Sequence, residues 1–237
     1  MRIFPLLVSV LLLTTLCQTV LAQRVLIAEE VPPEHEIPSF GPNRSHFHHF
    51  YSGFGFVTNM GADPGARILG GRSWEYYYGI RYKRRLNQMF SVGGEAYLSR
   101  LSYFPLQSDQ KQVPDTFLHD REKFVILQPG IALYKRINYD LNRGNYIGRF
   151  TDVGIWTQWH GNFRHITRNT VDGETTRTRT SGMDYHRAYA WGILARVGFR
   201  NLVFKANYRL SDIFLDEKGI PELPRLTLGV EFGVHPL

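Results

Sequence analysis

Apolar and polar residues alternate without a break along Arg225-Leu-Thr-Leu-Gly-Val-Glu-Phe-Gly-Val-His235. Leu226, Leu228, Val230, Phe232 and Val234 fall on one face and Arg225, Thr227, Gly229, Glu231 and Gly233 on the other, because successive strand side chains point to opposite sides. The same period, bounded by turn residues, recurs seven more times. It predicts eight strands at approximately 46–59, 72–86, 89–104, 122–137, 146–160, 186–199, 202–211 and 225–235. The second places Trp74, Tyr76, Tyr78, Ile80 and Tyr82 on its greasy face. The sixth places Tyr189, Trp191, Ile193, Ala195, Val197 and Phe199 there, and the seventh Leu202, Phe204, Ala206, Tyr208 and Leu210. The strand at 146–160 changes face near Phe150, for which a β-bulge is the expected cause.

The connections alternate in length. Tight joins fall around Asn87-Gln88, at Asn138 to Asn145 and at Arg200-Asn201, whereas the other four connections run to about 12 to 25 residues. An even strand number with short turns at one end and long loops at the other is the pattern of an up-and-down barrel that spans an outer membrane. The predicted fold class is therefore all-β: an eight-stranded antiparallel transmembrane β-barrel over 46–237, with both termini in the periplasm.

The N-terminal pattern agrees. Arg2, an apolar run from Leu6 to Leu16 and the small-residue site Val20-Leu21-Ala22 have the layout of a secretory signal, with cleavage expected after Ala22. Cleavage would remove Cys17, the single cysteine, and leave 27 bases against 21 acids. A mature chain without thiols has neither disulfides nor thiolate chemistry. Residues 23–45, with Glu29, Glu30, Glu34 and Glu36 among Pro32, Pro33, Pro38 and Pro42, cannot build a core and are expected to form a periplasmic segment, with a partner-binding arm as the sharper reading. The mean hydropathy of −0.26 suits a barrel, in which half of each strand faces a polar interior. The aromatic share of 14% suits interfacial girdles. The net charge of +7 points to anionic lipid, including lipopolysaccharide, because an exported chain meets no nucleic acid.

Charges on the opposite strand faces predict what fills the bore. A two-residue turn at Arg200-Asn201 sets Phe199 against Leu202 and Arg196 against Lys205, and the turn near Gln88 sets Arg81 against Glu95. Paired cations need anions, and Asp152 and Glu231 stand at matching depth. Glu75 and Arg209 complete four acids and four bases. The expectation is one network of Asp152, Arg196, Lys205 and Glu231, with Arg81–Glu95 as a separate pair, plugging a bore that eight strands leave just wide enough for side chains. A narrow channel is the alternative.

Candidate chemistry is sparse. His165 and Thr167 lie two apart in the long loop after the fifth strand, a pattern similar to the His-x-Ser pair of lipid A deacylases, with threonine in place of serine. His46, His48 and His49 invite a metal reading but have no carboxylate at a matching offset. No cofactor and no metal are expected. The basic loop residues Arg164, Arg168, Arg177, Arg179 and Arg187 are candidates for lipopolysaccharide phosphates.

Leu118-His-Asp-Arg-Glu-Lys123, Tyr146-Ile-Gly-Arg-Phe-Thr-Asp-Val-Gly154, Tyr208-Arg-Leu-Ser-Asp212 and Glu222-Leu-Pro-Arg-Leu-Thr-Leu-Gly229 resemble small outer-membrane β-barrel proteins of the Bacteroidota, often grouped as PorT-like. The resemblance implies fold and location, and in the PorT branch a role in type IX protein secretion, but it carries over no catalytic residue. Barrel-assembly machinery would then be a partner during insertion, with Phe232 as the aromatic residue it reads. The expected role is structural, adhesive or secretion-accessory, acting through loops or the N-terminal arm. A lipid-modifying hydrolase is the alternative.

Overall fold

A computed structural model describes residues 42–142, 144 and 146–234. The expected signal (1–22) and nearly all of the 23–45 segment lie outside the described residues. Ten strands are present: β1 (His46–Val57), β2 (Trp74–Arg85), β3 (Phe90–Tyr103), β4 (Arg121–Asn138), β5 (Arg149–Trp159), β6 (Asn162–Val171), β7 (Glu174–Ser181), β8 (Tyr189–Phe199), β9 (Leu202–Arg209) and β10 (Leu226–Val234). Every pairing is antiparallel. The order β3-β2-β1-β10-β9-β8-β5-β4 closes through β3–β4 into an eight-stranded barrel. The all-β barrel expected from the sequence is the fold observed.

The turns fix the register. Arg200, at φ 57°, lets a two-residue turn set Phe199 against Leu202 and Arg196 against Lys205, as the spacing predicts. At the β2–β3 turn the Asn87 side-chain oxygen accepts from the Met89 and Phe90 amides at 2.9 and 2.7 Å. This Asx turn brings Arg81 opposite Glu95.

The long fifth-strand region departs from expectation in three ways. Alternation runs unbroken from Arg149, so no bulge lies at Phe150; the face change arises because Gly148, at φ 70°, turns the chain into β5. A bulge lies instead at His160–Gly161, where β4 passes from pairing with β5 (Gly130↔Gln158) to pairing with β6 (Leu127↔Asn162). Finally, the long connection is largely regular. Asp172 and Gly173, at φ 53° and 81°, make the tight turn of a β6–β7 hairpin that extends one side of the barrel beyond its rim.

Inside and outside are chemically distinct. Tyr78, Ile80, Leu133, Ile155, Trp191, Ile193, Phe204 and Phe232 are all exposed on the outer wall. A contiguous apolar belt of this kind far exceeds what a soluble monomer presents to water. On the inner face, large aromatics lie over glycines of neighbouring strands. A Cβ on Gly53 would fall 2.4 Å from the Tyr77 ring, and one on Gly198 2.2 Å from Phe150. Glycine therefore makes the room that these rings fill.

Candidate functional site

The middle of the bore is an ionic lattice. Arg81 donates to Glu95 at 2.7 Å and to Glu231 at 2.8 Å. Arg196 meets Glu95, approaches Asp152 at 3.3 Å and lies 3.7 Å from Glu231. Lys205 completes the group at 3.5 Å from Glu231. The structure thus brings Arg81, Glu95, Asp152, Arg196, Lys205 and Glu231 into one connected set. Arg81–Glu95 is not a separate pair: a guanidinium carries donors on two edges, and that of Arg81 joins the two halves of the bore.

Arg136 of β4, which the sequence did not single out, belongs to the same lattice. It binds Asp152 in bidentate fashion at 2.7 and 2.8 Å and lies 3.5 Å from the Phe150 ring centroid. Arg209 does not belong; it pairs with Glu222 of the last long loop at 2.6 Å. Glu75 makes no salt bridge among the described residues. With Arg209 and Gln128 it lines a cavity of about 20 Å³, room for one water.

Apolar clusters lie on both sides of the lattice. Toward the short-turn end are Phe47, Ile147, Phe150 and Val203. Toward the long-loop end come Tyr51, Tyr77, Tyr97, Trp156 and Leu194, and then a cap built by the loops themselves, with Val113, Phe163, Ile213, Phe214 and Leu223 fully buried against Phe124 and Ile126. Burial in this cap lowers the His160 pKa to about 4, against a hydrogen bond to the Arg187 carbonyl that favours the charged form.

At the rim, His165 places Nε2 2.6 Å from Glu122, whose carboxylate also takes Lys111 at 2.9 Å and Gln107 at 2.8 Å. No hydrogen bond joins His165 to Thr167 among the described residues, so the two are not assembled as base and nucleophile. At the other end His46 bonds the Tyr82 hydroxyl at 2.6 Å, while His48 is exposed on the outer face and His49 is buried on the inner one. Among the described residues no three metal-binding side chains converge.

The outer face of β4, β6 and β7 above the apolar belt is basic. Arg121, Arg168 and Arg177 are directly opposed across the three strands, and Lys123, Ile166 and Arg179 form the next row. Below them Arg164 faces Val125, and Arg100 of β3 faces Leu127. Alternation sends Thr176, Thr178 and Thr180 of β7 to the opposite side. None of these seven bases forms a salt bridge among the described residues, and Arg164 Nε is buried without a hydrogen-bond partner. Partial burial, with Arg179 and Arg100 nearby, draws the Arg164 pKa below its ordinary value. Of the arginines singled out in this loop, Arg187 alone is elsewhere, paired with Asp216 at 2.8 Å.

No family model matches the chain, and no curated protein matches it.

Proposed function

We propose that the protein is an integral outer-membrane barrel that does not conduct and works through the surface of its loops as a structural, adhesive or secretion-accessory component. The observation that carries this reading is the pairing of a largely apolar outer wall with a bore filled by an ion-paired lattice between apolar clusters. A belt of strands about 9–11 residues long is what a tilted barrel needs to cross a bilayer, and β8 and β10, at 11 and 9 residues, have that length. An export signal at 1–22 would deliver the chain to the envelope. Long loops at one end and tight turns at the other support periplasmic termini. The four segments that resemble Bacteroidota barrels point to the same setting; a part in type IX secretion would rest on that resemblance alone.

The test is fractionation of cells that make the full chain. The protein should sediment with the outer membrane, resist carbonate and urea extraction, and run faster on gels unheated than boiled. Recovery in the soluble periplasm would refute the reading. The alternative, a lipid-modifying hydrolase, would need a group other than His165 to activate Thr167, because His165 is turned onto the buried Glu122 at 2.6 Å. It predicts altered lipid A mass spectra in cells lacking the gene; unaltered spectra would remove it.

A further inference from the structure

Like charges placed directly opposite one another on adjacent strands destabilise a sheet. The β4–β6–β7 extension nevertheless opposes Arg121, Arg168 and Arg177 in one row. An ordinary exposed face would intersperse acids, but here the carboxylates flanking Arg121 are engaged elsewhere: Glu122 is turned onto Lys111, Gln107 and His165, and Asp120 accepts from the Thr170 amide. A hollow of about 260 Å³ opens on this row, lined by Arg121, Lys123, Arg168 and Arg177, by Phe104, Ile166 and Thr167, and by Glu122, whose carboxylate is held by Lys111 and His165. It is several times the volume of a phosphate group. We propose that this face seats the phosphorylated sugar headgroup of an outer-leaflet glycolipid, with the arginine row and Lys123 binding one phosphate over the hollow and Arg164 and Arg100 meeting another nearer the membrane.

Geometry chooses a glycolipid with several phosphates over an ordinary phospholipid. The bases run from Arg100, level with Leu127, to the row at Arg121, six residues along β4. At ~3.3 Å per residue that is ~20 Å along the strand, or ~14 Å of height for a strand tilted by ~45°. A single phosphate cannot cover that span, whereas a disaccharide phosphorylated at both ends can. Guanidinium forks match phosphate oxygens.

This proposal rests on the outer-membrane reading, and the two fail separately. The experiment uses the full mature chain folded in detergent, with lipopolysaccharide, its enzymatically dephosphorylated form, phosphatidylglycerol and inorganic phosphate as probes. Binding is followed by native mass spectrometry and by the rise in melting temperature. Lipopolysaccharide should bind and stabilise, and the double variant Arg168→Gln/Arg177→Gln should weaken that binding about tenfold or more. The same variant without lipid should melt no lower than wild type, because its repulsion is relieved; a purely structural role for these arginines predicts the opposite. Equal affinity of variant and wild type, or of phosphorylated and dephosphorylated lipid, would overturn the seat. So would phosphatidylglycerol or free phosphate competing as well as lipopolysaccharide. Those results in a barrel that still fractionates with the outer membrane would leave the membrane reading intact.

Discussion

Replacing Glu231 by glutamine isolates the lattice in a single atom's chemistry. Glu231 is fully buried and takes a 2.8 Å hydrogen bond from Arg81, with Lys205 at 3.5 Å and Arg196 at 3.7 Å. Arg81 would keep Glu95, and Arg196 would keep Glu95 and Asp152. Lys205 has no other salt-bridge partner among the described residues and would be left with the Tyr77 ring, 4.0 Å from its Nζ. Breaking a buried ion pair from one side costs ~3–5 kcal/mol. The glutamine carbonyl still accepts from Arg81, worth ~1 kcal/mol, and the desolvated cation–π contact retains up to ~2 kcal/mol. A loss of ~1–3 kcal/mol is expected, which at a urea slope of ~3 kcal/mol per molar lowers the unfolding midpoint by ~0.3–1 M. Lys205→Met/Glu231→Gln removes the stranded cation as well and restores the wild-type balance of charge, so it should cost less than Glu231→Gln alone. Urea unfolding from lipid vesicles, followed by tryptophan fluorescence, measures all three proteins. A double variant less stable than the single one would refute the charge-balance argument.

Four further outcomes follow from the same structure. Ile193→Arg, exposed on the apolar belt, should lose ~2–4 kcal/mol in vesicles, and unchanged stability would mean that this wall does not face lipid. Gly154→Ala, whose Cβ would lie 2.2 Å from the Leu133 carbonyl, should cost ~1–3 kcal/mol, whereas Gly71→Ala, with nothing within 4 Å, should be neutral within ~0.5 kcal/mol; equal effects would contradict the packing. The His160 pKa is depressed to about 4, below its unfolded value of ~6.5, so the stability it contributes is complete above ~pH 6.5 and is lost as pH falls toward 4. The melting-temperature gap between wild type and His160→Gln should therefore narrow from pH 7 to pH 4, and a constant gap would count against the buried neutral ring. Cysteines at Asp109, Thr176 and Lys218 should label from outside intact cells and one at Gln88 should not; the reverse pattern would invert the barrel.

Much of this was legible in the sequence because a strand has a strict period and a two-residue turn has a fixed register. Arg196 against Lys205 followed from Arg200-Asn201, and Arg81 against Glu95 from the short turn near Gln88. Arg136 was not legible. It follows Lys135, and only the register with β5 decides which of the two bases faces the bore. The turn joining those strands is too long to set that register from spacing. The outer third of β4 also hides its period, since Phe124, Val125 and Ile126 are all buried: the loop cap covers Phe124 and Ile126 on one face, and Val125 on the other stands directly opposite Arg164 of β6. The β6–β7 hairpin left a readable trace in Asp172-Gly173 and the Thr-Arg alternation that follows. The row of opposed arginines emerges only when three strands are aligned side by side.

The central claim is a closed barrel in a bilayer, and conductance addresses it directly. Purified wild-type protein inserted into planar lipid bilayers should give little steady current across a range of voltages, because the lattice and the apolar clusters on either side leave ions no path. Glu231→Gln should remain closed as long as it stays folded. A stable, ion-selective current from the wild-type protein would contradict the account and recast Arg81, Arg136, Arg196 and their carboxylates as the lining of a channel.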